Sequence, residues 1–166
     1  RFGRNIINTG ADSFNWREAF KASEDSLTSS VFSLLFYLPV EMFWEILYKA
    51  CYYPSIPISS GRLVSYDFWP HWNCKDTGNI NFVEPDIFLE FEDFHVIIEA
   101  KRYDYVEQQS KSQWEAEIIA YRNEYSIDES KPLYFIALAG ILNGDEKQNP
   151  VLSIPVTTCR WRNIFT

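Results

Sequence analysis

The sequence predicts an α/β fold with a mixed β-sheet, and three observations carry that prediction. Residues 87–91 and 94–101 are two β-rich runs flanking the acidic pair Glu92-Asp93, the pattern of a hairpin. A long polar helix is expected from about residue 106 to residue 125, with Trp114, Ile118, Tyr121 and Tyr125 at offsets of four, three and four. Residues 133–138 then form a near-continuous apolar run of strand length, as in a buried parallel strand reached by a crossover helix. The expected order is helix, helix, strand, hairpin, helix, strand. Hydrophobic residues at 46% and aromatics at 17% exclude a disordered chain and favour a densely packed one.

Residues 1–12 are polar and read as an arm or linker, and residues 13–166 as one domain. Residues 14–21 suggest a short helix. Ser23 is the expected N-cap of the next one, with Glu24 and Asp25 in a first turn where the helix dipole favours negative charge. Leu27, Val31, Leu34, Leu35 and Leu38 give that helix its apolar stripe, and Pro39 ends it. A second helix is expected over about 41–51, with Phe43, Ile46, Leu47 and Ala50 on one side, and a connection over 52–60. Residues 62–69 alternate as a strand. A loop over 70–80 leads to a short strand end at 80–83. After 140–150, a loop rich in turn formers, residues 151–158 are expected to be extended and 160–165 to begin a helix.

The central hairpin is where chemistry is expected. A two- or four-residue connection pairs Phe91 with Phe94, Leu89 with Val96 and Ile87 with Ile98, which puts Asp86 opposite Glu99. Side chains alternate along a strand, so Lys101 shares the face of Glu99. Directly opposed carboxylates repel and weaken a hairpin. A divalent cation between them resolves the conflict, and hard oxygen donors suit Mg²⁺ or Mn²⁺. The plainer alternative is a solvated strand face on which Lys101 screens the two acids.

Pro85-Asp86 followed by Glu99-Ala100-Lys101 at the close of the next strand resembles the PD-(D/E)XK nuclease superfamily. The expected element order resembles its restriction-endonuclease-like αβββαβ core. The resemblance implies a metal-dependent nuclease hydrolysing phosphodiester bonds, with DNA the expected substrate and restriction, phage defence or repair the expected settings. It implies Asp86 and Glu99 as metal ligands, the Ala100 carbonyl oxygen as a third, and Lys101 as the group that positions water and stabilises charge on the phosphate. Glu24 resembles the first-helix glutamate that many members place at the metal. Gln113 resembles a glutamine on the helix after the Glu-x-Lys strand; where some branches have a tyrosine four residues on, this chain has Glu117, expected with Tyr121 only to support Gln113. The alternative is a nuclease-like domain without activity that serves as an assembly or binding module.

The net charge of −8 conflicts with nucleic-acid binding, which favours a basic footprint. A further domain, subunit or partner supplying basic surface is therefore expected. Cys51, Cys74 and Cys159 offer neither a zinc spacing nor a disulfide framework, so a cytoplasmic setting is expected. The first residue is Arg1, which suggests a piece of something longer. His95 reads as a surface residue of the hairpin, and Trp69 and Trp72 as packing aromatics. No glycine-rich phosphate loop is present.

Overall fold

The computed structural model describes residues 16–125 and 131–166. Residues 14 and 15 of the expected first helix and the arm over 1–12 lie outside them. Helices α1 (Trp16–Leu35) and α2 (Val40–Ala50) precede the strands β1 (Cys51–Tyr52), β2 (Leu63–Phe68), β3 (Ile87–Phe91) and β4 (His95–Ala100). Helix α3 (Lys111–Glu124), strands β5 (Leu133–Leu138) and β6 (Val156–Cys159), and the short helix α4 (Trp161–Ile164) complete the order. The strands form one six-stranded sheet in the order β1-β6-β5-β4-β3-β2, parallel across β4-β5-β6 and antiparallel elsewhere. Among the described residues no helix is long and apolar enough to cross a membrane.

All six residues of β4 are buried, as expected for a central strand covered on both faces. On one face Ile87, Leu89, Val96, Ile98 and Ala100 pack with Phe32, Phe43, Trp44 and Leu47 of α1 and α2. On the other, Phe88, Ile97, Phe135 and Ala137 pack with Trp114, Ile118 and Tyr121 of α3. Each fully buried aliphatic or aromatic side chain contributes about 1.5–3 kcal/mol, so these two layers account for most of the hydrophobic stabilisation.

The hairpin register is the expected one, with Ile87 opposite Ile98 and Leu89 opposite Val96. Its turn is closed by the Phe91 N–H donating to the Phe94 carbonyl at 2.9 Å. Neither Glu92 nor Asp93 has a positive φ, which is why the turn carries no glycine.

Several expectations are corrected. Ser23 is not an N-cap: α1 runs unbroken from Trp16, because nothing between residues 16 and 35 interrupts a helix, and the Ser23 hydroxyl instead accepts a hydrogen bond from the Arg102 guanidinium. Leu34 faces solvent, while Thr28, Val31, Phe32 and Leu35 turn inward. Glu24, one turn before Thr28, shares that inward face. Helix α3 starts at Lys111 rather than near residue 106. The Gln108 and Gln109 N–H groups donate to the Gly140 carbonyl at 2.9 and 3.0 Å, which holds the preceding segment as a loop. Cys51 and Tyr52, expected as a helix end and a connection, form the edge strand β1 against Cys159 and Thr158. The segment 80–83 contributes only one bridge, between Val83 and Trp72.

After β5, Ala139 (φ 62) and Gly140 (φ 70) are both left-handed. The Ala139 N–H donates to the Cys159 carbonyl at 2.7 Å and the Gly140 N–H to the Tyr103 carbonyl at 2.8 Å. That tight corner ties β6 and the loop after β4 to the end of β5. Helix α4 secures the same region. The Trp161 and Arg162 N–H groups donate to the Asp104 carboxylate at 2.7 and 3.1 Å, and the Trp161 indole N–H donates to the Lys101 carbonyl at 2.7 Å.

Candidate functional site

The site lies at the C-terminal end of β4, on the α3 face of the sheet. Register puts Asp86, just before β3, across from Glu99, and alternation turns Glu99 to the face of Phe88 and Ile97. The Lys101 N–H donates to the Leu138 carbonyl at 2.8 Å. In a parallel ladder the N–H and C=O of Ala100 then face β3. There the Ala100 N–H donates to Asp86 Oδ2 at 2.7 Å, so its carbonyl oxygen lies on the Asp86 side of the strand. The Ala100 side chain packs into the opposite face of the core.

Glu99 is 2% exposed, and its Oε1 accepts from Lys101 Nζ at 2.5 Å and from Gln113 Nε2 at 2.6 Å. Its Oε2 has no hydrogen-bond partner among the described residues. Glu24 reaches in from α1: Oε2 accepts the Arg102 N–H at 3.0 Å, and Oε1 stands 3.6 Å from Lys101 Nζ. All five residues singled out in the sequence (Glu24, Asp86, Glu99, Lys101 and Gln113) therefore converge, together with the Ala100 backbone.

Burial pushes the Asp86 carboxyl, 8% exposed, well above its ordinary pKa; Glu99 adds to this, and the Ala100 N–H opposes it. Glu24 is raised as well, by burial first, with Lys101 and the Arg102 N–H pulling the other way. For Lys101, burial acts to lower the pKa, but Glu99, Glu24 and Asp86 together outweigh it and hold the amine above its usual value. Lys101 is thus a permanent ammonium at neutral pH.

Two contributors were missed. Glu117, expected only to support Gln113, is 1% exposed and stands against Glu99 with neither carboxyl oxygen partnered among the described residues. Burial pushes its pKa well up, and Glu99 adds to the rise. Its position one turn after Gln113 was the available signal. Gln109 locks the strand ends to α3: its Nε2 donates to the Glu99 and Ala139 carbonyls at 3.0 and 3.3 Å, and its Oε1 accepts the Trp114 indole N–H at 2.8 Å. A glutamine in a loop leaves no pattern from which this could be read.

Tyr121 and His95 are corrections. The Tyr121 hydroxyl does not support Gln113; it lies 2.8 Å from His95 Nδ1, near the other end of the hairpin. His95 is not a surface residue but 4% exposed, because the far end of α3 covers it. Burial lowers its pKa and Lys131 adds to the fall, against the pull of Glu90. His71 stacks on Phe82 and contacts Glu84 at 2.7 Å, while Trp72 packs in the core as expected.

Two cavities open on the site. One, of about 740 Å³, is lined by Lys21, Glu24, Lys101, Arg102, Tyr103 and Gln113. The other, of about 380 Å³, is lined by Asn79, Glu84, Ser112, Gln113 and Glu117. Among the described residues no three His, Cys, Asp or Glu side chains form a ready-made cage for a metal. Mg²⁺ needs none: it is commonly held by one or two carboxylates, with water and substrate phosphate completing the shell. Hard carboxylate donors, and buried oxygens on Glu99 and Glu117 without partners, fit such a cation in chemistry.

The chain is 33% identical over 146 residues to a protein of Pasteurella multocida (strain Pm70) whose name says only that it is uncharacterized. The match covers 87% of this chain and 53% of that protein, so the chain spans about half the length of its relative. No family model and no solved structure matches the chain.

Proposed function

We propose that this chain is a metal-dependent nuclease of the PD-(D/E)XK type, with a restriction-endonuclease-like core, that hydrolyses phosphodiester bonds and takes DNA as its first expected substrate. The observation that carries the reading is the buried Glu99, gripped on one oxygen by Lys101 and Gln113 and faced across the hairpin by Asp86. A structural ion pair would need Lys101 and Glu99 alone. It gives no reason for a second buried acid across the hairpin, whose repulsion weakens the fold.

Asp86, Glu99 and the Ala100 carbonyl would hold Mg²⁺ or Mn²⁺, with Glu24 and Gln113 supporting them. When bound, the ion supplies Lewis-acid polarisation of the phosphate and a more acidic water. Lys101, held as an ammonium, acts by charge and orientation rather than as a base: its N–H groups point a water and offset the negative charge that grows on the phosphate. Gln113 fixes the Glu99 carboxylate in place. Lys21 and Arg102 line the larger cavity beside Lys101 and suit a phosphate backbone arriving there. With a net charge of −8, that mouth needs basic surface from a further domain or partner for firm binding.

Calorimetric titration of Mn²⁺ into EDTA-stripped protein tests the reading, followed by cleavage assays on DNA and RNA. Wild type is expected to bind and cleave, Asp86→Asn to lose binding, and Lys101→Ala to lose cleavage. Wild type that binds neither Mn²⁺ nor Mg²⁺, with or without an oligonucleotide, overturns it. Binding without cleavage of either nucleic acid leaves the inactive binding module as the better account.

A further inference from the structure

Glu117 has no part in the mechanism above, yet it is the most deeply buried acid at the site. It leaves α3 one turn after Gln113 on the same helical face and ends against the Glu99 carboxylate. No N–H or hydroxyl of the described residues donates to either of its carboxyl oxygens or to Oε2 of Glu99, so the two acids face each other with at most a shared proton between them. A buried acid is ordinarily paired or hydrogen-bonded, because its desolvation is otherwise uncompensated. The local donors do not meet this need. The Lys101 ammonium and the Gln113 amide both turn to Oε1 of Glu99, and the Ala100 N–H goes to Asp86. The Asn79–Glu84–Ser112 cavity of about 380 Å³ is lined by Gln113 and Glu117 and not by Lys101.

We propose that Glu117 is a further ligand of the divalent cation, which Glu99 and Glu117 hold between them on the side of that cavity. Two carboxylates with water in the remaining positions are a usual donor set for Mg²⁺ or Mn²⁺. Glu99 then serves two cations at once, the Lys101 ammonium on Oε1 and the metal on Oε2. The inference rests on the metal-dependent reading and goes beyond it by assigning a ligand from α3, outside the Asp86 and Glu99-Ala100-Lys101 motif.

The competing explanation is a proton shared between Glu117 and Glu99 that serves packing alone. Glu117→Gln separates the two, since its amide keeps the size of the side chain and can donate to Glu99 but carries no charge for a metal. Mn²⁺ is titrated calorimetrically into EDTA-stripped wild type, Glu117→Gln and Asp86→Asn, and melting temperatures are recorded with and without Mn²⁺. Glu117→Gln is expected to melt in EDTA no lower than wild type, to bind Mn²⁺ at least roughly tenfold more weakly, the lower end of what losing a group around a metal costs, and to gain less in melting temperature from Mn²⁺. If Glu117→Gln does not fold, Glu117→Leu gives the same comparison with an apolar side chain of similar bulk. Wild-type affinity in a folded Glu117 variant overturns this inference and leaves the metal-dependent reading standing. Wild type that binds neither Mn²⁺ nor Mg²⁺, with or without an oligonucleotide, overturns both.

Discussion

Glu99 carries two donors on one carboxyl oxygen and none on the other, and three further acids crowd around it. Asp86, Glu24 and Glu117 all have folded-state pKa values above their ordinary ones, with burial the leading cause each time. A raised carboxyl binds its proton more tightly in the folded chain than in the unfolded one. The stability this contributes is fully present below the unfolded pKa, 3.8 for Asp86, and is lost as pH rises through the folded value. In EDTA, the melting temperature of wild type relative to Asp86→Asn is therefore expected to fall as pH climbs from the ordinary carboxylate range into the shifted window. His95, whose pKa is lowered, acts in the opposite sense by losing stability as pH falls, but it is present in both proteins and cancels in the comparison. Circular-dichroism melts of the two proteins across pH check this; parallel curves would show that Asp86 is not strained by its surroundings. Divalent metal should remove much of the difference by stabilising the ionised forms.

Among the elements, the corner after β5 decides where Lys101 sits. Gly140 has φ +70, and a Cβ added there would meet Lys101 Cβ and Cγ at 2.6 Å. Gly140→Ala is expected to destabilise the protein by about 1–3 kcal/mol in urea unfolding, the usual range for overpacking plus a left-handed non-glycine residue. If Lys101 gives way rather than the corner, its ammonium is pushed from Glu99, and the proposed cleavage should fall by more than the stability loss explains. A variant with unchanged stability and activity would show that the corner yields freely.

This corner also marks the limit of what the sequence discloses. The hairpin register was legible because one face of it is apolar, so a slip by one residue would have turned Ile87, Leu89, Val96 and Ile98 outward. With the register came the meeting of Asp86, Glu99 and Lys101. Helix α3 and strand β5 were legible from their periods, although α3 starts later than its pattern suggests because Gly140 captures Gln108 and Gln109. The parts that escaped depend on long-range contacts. Gln109 reaches the Glu99 carbonyl on β4 and the Ala139 carbonyl just after β5, Glu117 meets Glu99 only once α3 is docked, and β1 exists only because β6 returns beside it. Ser23 misled because a good N-cap residue is also a tolerable helix-interior residue when its hydroxyl finds a partner such as Arg102.

For the whole molecule, the charge distribution bears on the proposed DNA binding, which it makes weak and shallowly salt-dependent. The cavity beside Lys101 offers Lys21, Lys101 and Arg102 against a net charge of −8. At roughly 0.9 per neutralised phosphate, three contacts give a slope of log affinity on log salt of about −3 for duplex DNA. Fluorescence anisotropy with a short labelled duplex in Ca²⁺ is expected to return a value near that, and Arg102→Ala to reduce it by about one. A slope steeper than about −6 would mean that the cavity is not the main contact surface.

The connection between α4 and the strand end bears on when the site comes into being. Trp161 holds the Lys101 carbonyl, Asp104 caps the α4 backbone, and Asn163 Nδ2 donates to the Ala50 carbonyl at 3.0 Å. Strand β6 also joins β1 to the parallel part of the sheet. A nascent chain emerging from the ribosome thus carries Asp86, Glu99 and Lys101 long before residues 156–164 arrive to fix the backbone beneath them. Pairings of such high sequence separation form late. The Lys101 carbonyl and the Ala139 N–H stay without their Trp161 and Cys159 partners until that final stretch has folded, so a chain interrupted in synthesis before residue 156 holds the acids of the site and lacks the backbone contacts that fix the strand end beneath them.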